Sequence, residues 1–292
     1  MTHRLTACLL IAVIPIQSLN AQQESVTRPA ILGIAFVALR AADLAQTRNF
    51  YSGLLGYDLP AGRDPHELTV NISPRQFIRI RDGLLSGQDE RLSALAFQTD
   101  DAAAMRKYLQ AHQVQVPAVL SKDAGGMLYF AVRDPDGHTV QFVQYPAPEQ
   151  VQTHPARQPG LSTRILHAGL SVSSVSAADS FYHAILGFSE IWRGGSSDSV
   201  TSWINMRVPD GTDYLEYMLV SKPAGRQELG GLHHIALLVP DMQQAVDVLH
   251  SRKTMAGLPV ASPRIGRNRR WQLNLFDPDG TRIELMEPFP MR

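Results

Sequence analysis

Thiol chemistry is nearly absent from this chain. Its 292 residues hold one cysteine, Cys8, and that residue lies in an apolar N-terminal stretch. Once that stretch is removed, no disulfide, cysteine nucleophile or thiolate ligand remains. An excess of one charge is lacking too. Lys+Arg and Asp+Glu are balanced at 27 each, which argues against a nucleic-acid track or a polybasic membrane patch. Long apolar runs are missing: Leu5 to Ile16 is the most hydrophobic stretch and is too short to span a bilayer. There is no phosphate-cradling glycine loop and no Ser–His–Asp signature. What remains is a neutral chain with 44% hydrophobic residues, enough to bury two cores of about 120 to 130 residues each.

The ends and the middle read as non-domain segments. Arg4, the apolar Leu5 to Ile16 and the small-residue site Leu19-Asn20-Ala21 form the pattern of a cleavable secretory signal over residues 1–21, so a periplasmic or secreted location is expected, with no membrane contact in the mature form. Tyr145 to Ser162 carries four prolines and no apolar period, the composition of a linker. His154 within it is expected to be solvated. The domains are therefore placed at 31–145 and 164–288, joined by a Pro-rich linker at 146–163.

The two halves are copies of one another. Phe50-Tyr51-Ser52-Gly53-Leu54-Leu55-Gly56-Tyr57 matches Phe181-Tyr182-His183-Ala184-Ile185-Leu186-Gly187-Phe188 at an offset of 131, that is 181 minus 50. Leu95-Ala96-Phe97 matches Ile235-Ala236-Leu237 at offset 140, and Asp134-Pro135-Asp136-Gly137 matches Asp277-Pro278-Asp279-Gly280 at offset 143. A rising offset is what loop insertions produce. Each half is itself double, since Leu166-His167-Ala168-Gly169-Leu170-Ser171-Val172 resembles His233-His234-Ile235-Ala236-Leu237-Leu238-Val239. The apolar periods predict a strand, a helix and three strands in each quarter. Helices are predicted over Asp43 to Leu54, Ala177 to Leu186 and Asp241 to His250, with Asp43 as an N-cap and Gly56 and Gly187 at helix ends.

Four acidic and imidazole residues fall at matched strand positions in the second half: His167, Glu216, His234 and Glu284. The first half carries Phe36, Arg79, Ala94 and Gln141 there, and no register of Gln76 to Arg81 supplies a carboxylate or imidazole. Side chains alternate across a strand, so the four can converge only if the sheet curves into a cup. Two carboxylates brought together without a cation would repel. Small residues at Gly169 and Ala236 would leave room beside the imidazoles. His233 points to the opposite face from His234 and is expected to be a structural neighbour or an outer-shell group. Trp203 and Met218 are expected as wall or core. Arg264, Arg267, Arg269 and Arg270 form a basic cluster that reads either as a solvated loop or as a clamp for an anionic group. Arg269, Gln272 and Asn274 are the candidates to meet substrate.

The repeated βαβββ pattern, His167-Ala-Gly-Leu-x-Val, Phe-Tyr-x-x-Ile-Leu-Gly-Phe and Asp277-Pro-Asp-Gly-Thr-Arg-Ile-Glu-Leu resemble the vicinal oxygen chelate superfamily. That superfamily includes glyoxalase I, extradiol dioxygenases, methylmalonyl-CoA epimerase and fosfomycin/bleomycin resistance proteins. The resemblance implies an α+β fold of four βαβββ modules in two domains, each an open curved-sheet cup with helices outside. It implies one divalent metal ion held by His167, Glu216, His234 and Glu284, and a first domain that has lost its ligands.

Such a donor set suits Zn2+, Fe2+, Ni2+, Mn2+ or Co2+ without choosing among them. An octahedral ion with four protein ligands keeps two positions for two adjacent substrate oxygens. A glyoxalase-like lyase or isomerase acting through an enediolate on a small vicinally oxygenated compound is the first expectation, with Glu216 or Glu284 as base. An extradiol-type dioxygenase using Fe2+ on His167, His234 and Glu284 is the alternative, and there Glu216 is one donor too many. A non-enzymatic small-molecule binding or resistance protein is the third. Export counts against a strictly glutathione-dependent glyoxalase. The partner expected is a small-molecule substrate, and the chain is expected as a monomer or a homodimer.

Overall fold

A computed structural model describes residues 26–59, 62, 64–85, 90–147, 160–256 and 262–290. Residues 1–21, expected as a signal, most of 146–163, expected as a linker, and His154 lie outside these residues.

Two curved sheets carry the fold. The first contains β1 (Ile31–Arg40), β2 (Glu67–Ser73), β3 (Gln76–Arg81), β4 (Leu92–Thr99), β5 (Ser121–Lys122), β6 (Leu128–Arg133) and β7 (Thr139–Gln144), in the order β2-β3-β1-β4-β7-β6-β5. The second contains β8 (Ile165–Val172), β9 (Ser189–Gly194), β10 (Trp203–Arg207), β11 (Tyr214–Leu219), β12 (Ile235–Leu238), β13 (Arg264–Ile265), β14 (Trp271–Phe276) and β15 (Arg282–Met286), in the order β13-β14-β15-β12-β8-β11-β10-β9. Each sheet joins two modules through antiparallel first strands, β1 with β4 and β8 with β12. Within every module the first strand pairs in parallel with the last. This brings residues some fifty positions apart side by side at the centre of each sheet. The first quarter departs from the predicted three strands after the helix, because only β2 and β3 follow there among the described residues.

The helices begin where the caps predict. Asp43 accepts from the backbone N–H of Ala45 and Gln46 ahead of α1 (Leu44–Arg48), and Asp101 accepts from Ala104 ahead of α2 (Ala102–Ala111). Ser174 caps α3 (Val175–Asp179). Both α1 and α3 then widen into π-helical turns, Asn49–Leu54 and Ser180–Ile185, where the sequence predicts uninterrupted helix. Gly56 and Gly187 close them with φ of 78° and 80°, a region open to glycine. The helix predicted over 241–250 runs longer, as α5 (Met242–Ala256), and a helix not foreseen in the sequence, α4 (Arg226–Leu232), leads straight into His233.

The core runs through both domains. Phe97 of β4 meets Phe188 edge-on at 5.2 Å, and both belong to one continuous buried cluster that extends from Ile31 to Leu285. Burial of each such side chain stabilises by roughly 1.5–3 kcal/mol.

Candidate metal centre

The strand register puts the four matched positions on equivalent sites. Phe36 pairs with Ala96 as His167 pairs with Ala236. Arg79 pairs with Ala38 as Glu216 pairs with Gly169. Gln141 pairs with Ala96 as Glu284 pairs with Ala236. His234 stands just ahead of β12, and its carbonyl accepts from Gly169 N–H at 2.9 Å.

In the C-terminal cup these donors meet. His167 Nε2 and His234 Nε2 are 3.0 Å apart. Glu216 Oε2 is 3.2 Å from His234 Nε2 and 3.8 Å from His167 Nε2. Glu284 Oε2 is 3.5 Å from His167 Nε2 and 3.7 Å from His234 Nε2. All four residues are buried. Bonds of about 2.0–2.2 Å to one ion put neighbouring donors roughly 3.0–3.4 Å apart, close to the separations found. Among the described residues, His167, Glu216 and His234 are the group whose donor atoms all lie within 4.8 Å of one another, and Glu284 falls outside it.

Hydrogen-bond accounting reaches the same cation. His234 Nδ1 lies 3.0 Å from Leu232 O, so it carries the proton and its Nε2 lone pair faces the cup. The His234 lone pair and two carboxylates then converge on His167, whose Nδ1 has no partner, so that His167 Nε2–H is the one donor these side chains can place among them. The residues fit a divalent ion. Burial drives the His234 pKa well below its ordinary value, and the nearby charges of Arg282 and His167 add to this. Burial raises Glu284, but a hydrogen bond from His167 and the charge of Arg282 outweigh it and hold the carboxyl below its usual range. Both shifts favour the ligating forms, neutral imidazole and carboxylate.

Gly169 makes the space. A Cβ there would stand 2.1 Å from His234 Nδ1 and 2.7 Å from Leu232 O. His167 stacks on Tyr214 at 4.5 Å, which fixes the other ring.

The cup opens into a cavity of about 540 Å3 whose wall includes Trp192, Trp203, Arg269, Gln272 and Arg282, above Glu216 and Glu284. Arg269 and Gln272 thus face the same cavity as Glu216 and Glu284, together with Arg264 and Arg267. Arg269 sits in the left-handed region, φ 61°, held by the turn in which its N–H donates to Gly266 O. Asn274 is not on this wall. It pairs with Glu284 across the sheet, its Oδ1 buried without a partner. Arg282 is a site residue that the sequence reading missed. It lies two residues before Glu284 on the same strand face, and its Nε is buried without a partner. The period-two rule applied backwards from Glu284 would have found it.

The N-terminal cup is filled instead. The Arg79 guanidinium lies 4.7 Å from the Phe36 ring centroid and 5.4 Å from that of Phe77, and the two rings stack at 4.7 Å.

A family model described as glyoxalase/bleomycin resistance protein/dioxygenase superfamily matches residues 33–142 and 164–285. The chain belongs to this superfamily. No curated protein matches it. Solved structures with the same architecture include the 2,3-dioxygenase LapB from Pseudomonas sp. KL28, at 17% identity and TM-score 0.66, over 90% of this chain and 96% of that one. Homoprotocatechuate 2,3-dioxygenase from Brevibacterium fuscum, in complex with 3,4-dihydroxyphenylacetate, matches at 20% identity and TM-score 0.65, over 89% and 81%. At these identities the likeness is one of fold.

Proposed function

We propose that the C-terminal cup of this superfamily member is the centre of an extradiol-type ring-cleaving dioxygenase acting on an aromatic vicinal diol. The observation that carries it is the convergence of His167 Nε2, His234 Nε2 and Glu284 Oε2 within 3.0–3.7 Å beneath a cavity walled by Trp192 and Trp203. Two imidazoles and one carboxylate are the set that holds Fe2+ for O2 chemistry. The iron, when bound, would supply adjacent positions for the two diol oxygens and for O2. Glu216 is the fourth donor, on the cavity wall, and acts as the base that takes a hydroxyl proton from the diol. The indoles give an aromatic ring two flat walls, and Arg269 and Arg282 face its rim. The whole-length likeness to two 2,3-dioxygenases supports this reading over the lyase expected first.

One observation keeps the lyase or isomerase as a second reading. Glu216 Oε2 is nearer to His234 Nε2, at 3.2 Å, than Glu284 is, at 3.7 Å. As a permanent ligand Glu216 would leave two open positions, which suit enediolate chemistry better than O2 chemistry.

The test is oxygen uptake by iron-loaded protein with catechols, beside solvent-deuterium exchange into an α-hydroxycarbonyl compound without O2. Uptake that yields a ring-opened product and vanishes in Glu284→Gln is expected. Deuterium exchange without uptake would establish the second reading, and ligand-dependent melting without either reaction would leave a binding protein. Export through residues 1–21 is part of the proposal, and N-terminal sequencing of the mature protein checks it.

A further inference from the structure

A second pair of imidazoles converges where the two domains meet. His138 comes from the N-terminal domain and His233 from the C-terminal one. His138 Nε2 is 3.2 Å and His233 Nε2 is 2.9 Å from Ser171 Oγ. Their rings stand at 88° with centroids 5.2 Å apart. His167 and His234 show nearly the same disposition, 88° and 5.0 Å.

Each outer nitrogen faces a carboxylate. His138 Nδ1 is 2.8 Å from Asp134 Oδ2, in a formed hydrogen bond. His233 Nδ1 is 2.8 Å from Glu90 Oε1 but out of line for a hydrogen bond, so that contact is electrostatic. The hydrogen bond to Asp134 keeps a proton on His138 Nδ1, and the negative charge of Glu90 favours one on His233 Nδ1, so that in the neutral rings each Nε2 is a lone pair. Ser171 then has one hydroxyl hydrogen for two imidazole acceptors. The deficit calls for either an additional proton or a cation. The imidazoles are almost fully covered, with side-chain exposures of 7% and 3%, and His138, Ser171 and Glu90 line a cavity of about 570 Å3.

We propose that His138 Nε2, His233 Nε2 and Ser171 Oγ form a second divalent-cation site across the domain seam, its remaining position open to the cavity. The donor separations of 2.9 and 3.2 Å are close to those of neighbouring ligands on one ion with bonds of about 2.0–2.1 Å. Imidazole donors select an ion of the zinc class, since Mg2+ and Ca2+ take oxygen. The ion bridges the domains, because neither contributes both nitrogens. The proposal is independent of the ring-cleavage reading: none of its three donors belongs to the first centre.

Metal-stripped full-length protein titrated with Zn2+ by calorimetry tests it. His167→Ala, which disables the first centre, is expected to keep one equivalent, and adding His138→Ala is expected to remove it. Co2+ in the His167→Ala protein should give a visible spectrum that Ser171→Ala alters and His138→Gln abolishes. Gln preserves size and a donor to Asp134, so it serves if the alanine variant does not fold. Absence of Zn2+ uptake by folded His167→Ala protein, or uptake unchanged by the His138 substitutions, would overturn the site and leave a proton on His138 as the charge that satisfies the network. Oxygen uptake by the wild type is read separately, so the two proposals fail separately.

Discussion

Single atoms decide the candidate centre. A methyl group at residue 169 would overlap the His234 ring and crowd the Leu232 carbonyl. Gly169→Ala is therefore expected to lower metal affinity about 10–100-fold, the range for groups that orient a ligand. Dialysis followed by elemental analysis reads this, and full metal retention would contradict the packing argument. A second residue-scale effect lies in the turn after β14. Burial, opposed by hydrogen bonds from the backbone of Thr281 and Asp279, pushes the Asp277 pKa up to about 6. A carboxyl whose folded value is raised binds its proton more tightly in the folded state, so stability falls as pH rises from about 4 to about 6. The loss is up to roughly 3 kcal/mol at about 1.4 kcal/mol per unit. Asp277→Asn should flatten that slope in chemical denaturation at a series of pH values, since its Oδ1 can still accept from Asp279 and Thr281.

At the scale of elements, the two π-helical turns do work that straight helices would not. They place Phe50 and Tyr51, and Phe181 and Tyr182, edge to face with identical geometry, 5.0 Å and 80°. Each tyrosine then reaches the Asp-Pro-Asp-Gly turn of the other domain. Tyr182 donates to Asp134 Oδ2 at 2.9 Å, and Tyr51 approaches Asp277 Oδ2 at 3.5 Å. A bond at 2.9 Å contributes about 1 kcal/mol and one at 3.5 Å much less. Tyr182→Phe should thus lower the unfolding free energy by about 1 kcal/mol, and Tyr51→Phe should have a smaller effect. Equal losses in a urea titration would refute this ranking.

For the whole molecule, buried polar contacts tie the sheets into one unit. Gln76 on β3 accepts from Ile165 N–H at 2.8 Å and donates to Ile34 O, Ile165 O and Asp213 Oδ2 at 3.0–3.2 Å. Asp213 Oδ2 also accepts from Ile34 N–H at 3.0 Å. Gln76→Ala would strip the Ile165 N–H of its partner in a buried place, at a cost of about 1–3 kcal/mol. One calorimetric transition, shifted as a whole, is expected. Two transitions with only one shifted would mean that the domains unfold independently.

Much of the fold was legible because the repeat is local. The Asp-Pro-Asp-Gly turns, the Asp43 cap and the glycines after the first and third helices are set by short-range sterics and hydrogen bonds, which neighbouring residues dictate. Comparing copies also singled out His167, Glu216, His234 and Glu284, since a donor kept in one half and replaced in the other needs no coordinates to be noticed. Other features depend on residues far apart in the chain. Arg282 was hidden because an arginine on a strand is unremarkable until its Nε is found buried without a partner, in the wall of the cavity that Glu216 and Glu284 also line. His233 could be assigned to the opposite face, but its meeting with Ser171 and His138 is made by domain packing. The sequence by itself determined which residue types stand at which strand positions, because strand alternation and repeat spacing are properties of the chain. Only the tertiary structure decided which nitrogens and oxygens come within 4 Å of each other, because sheet curvature and domain docking arise from the burial of both cores together.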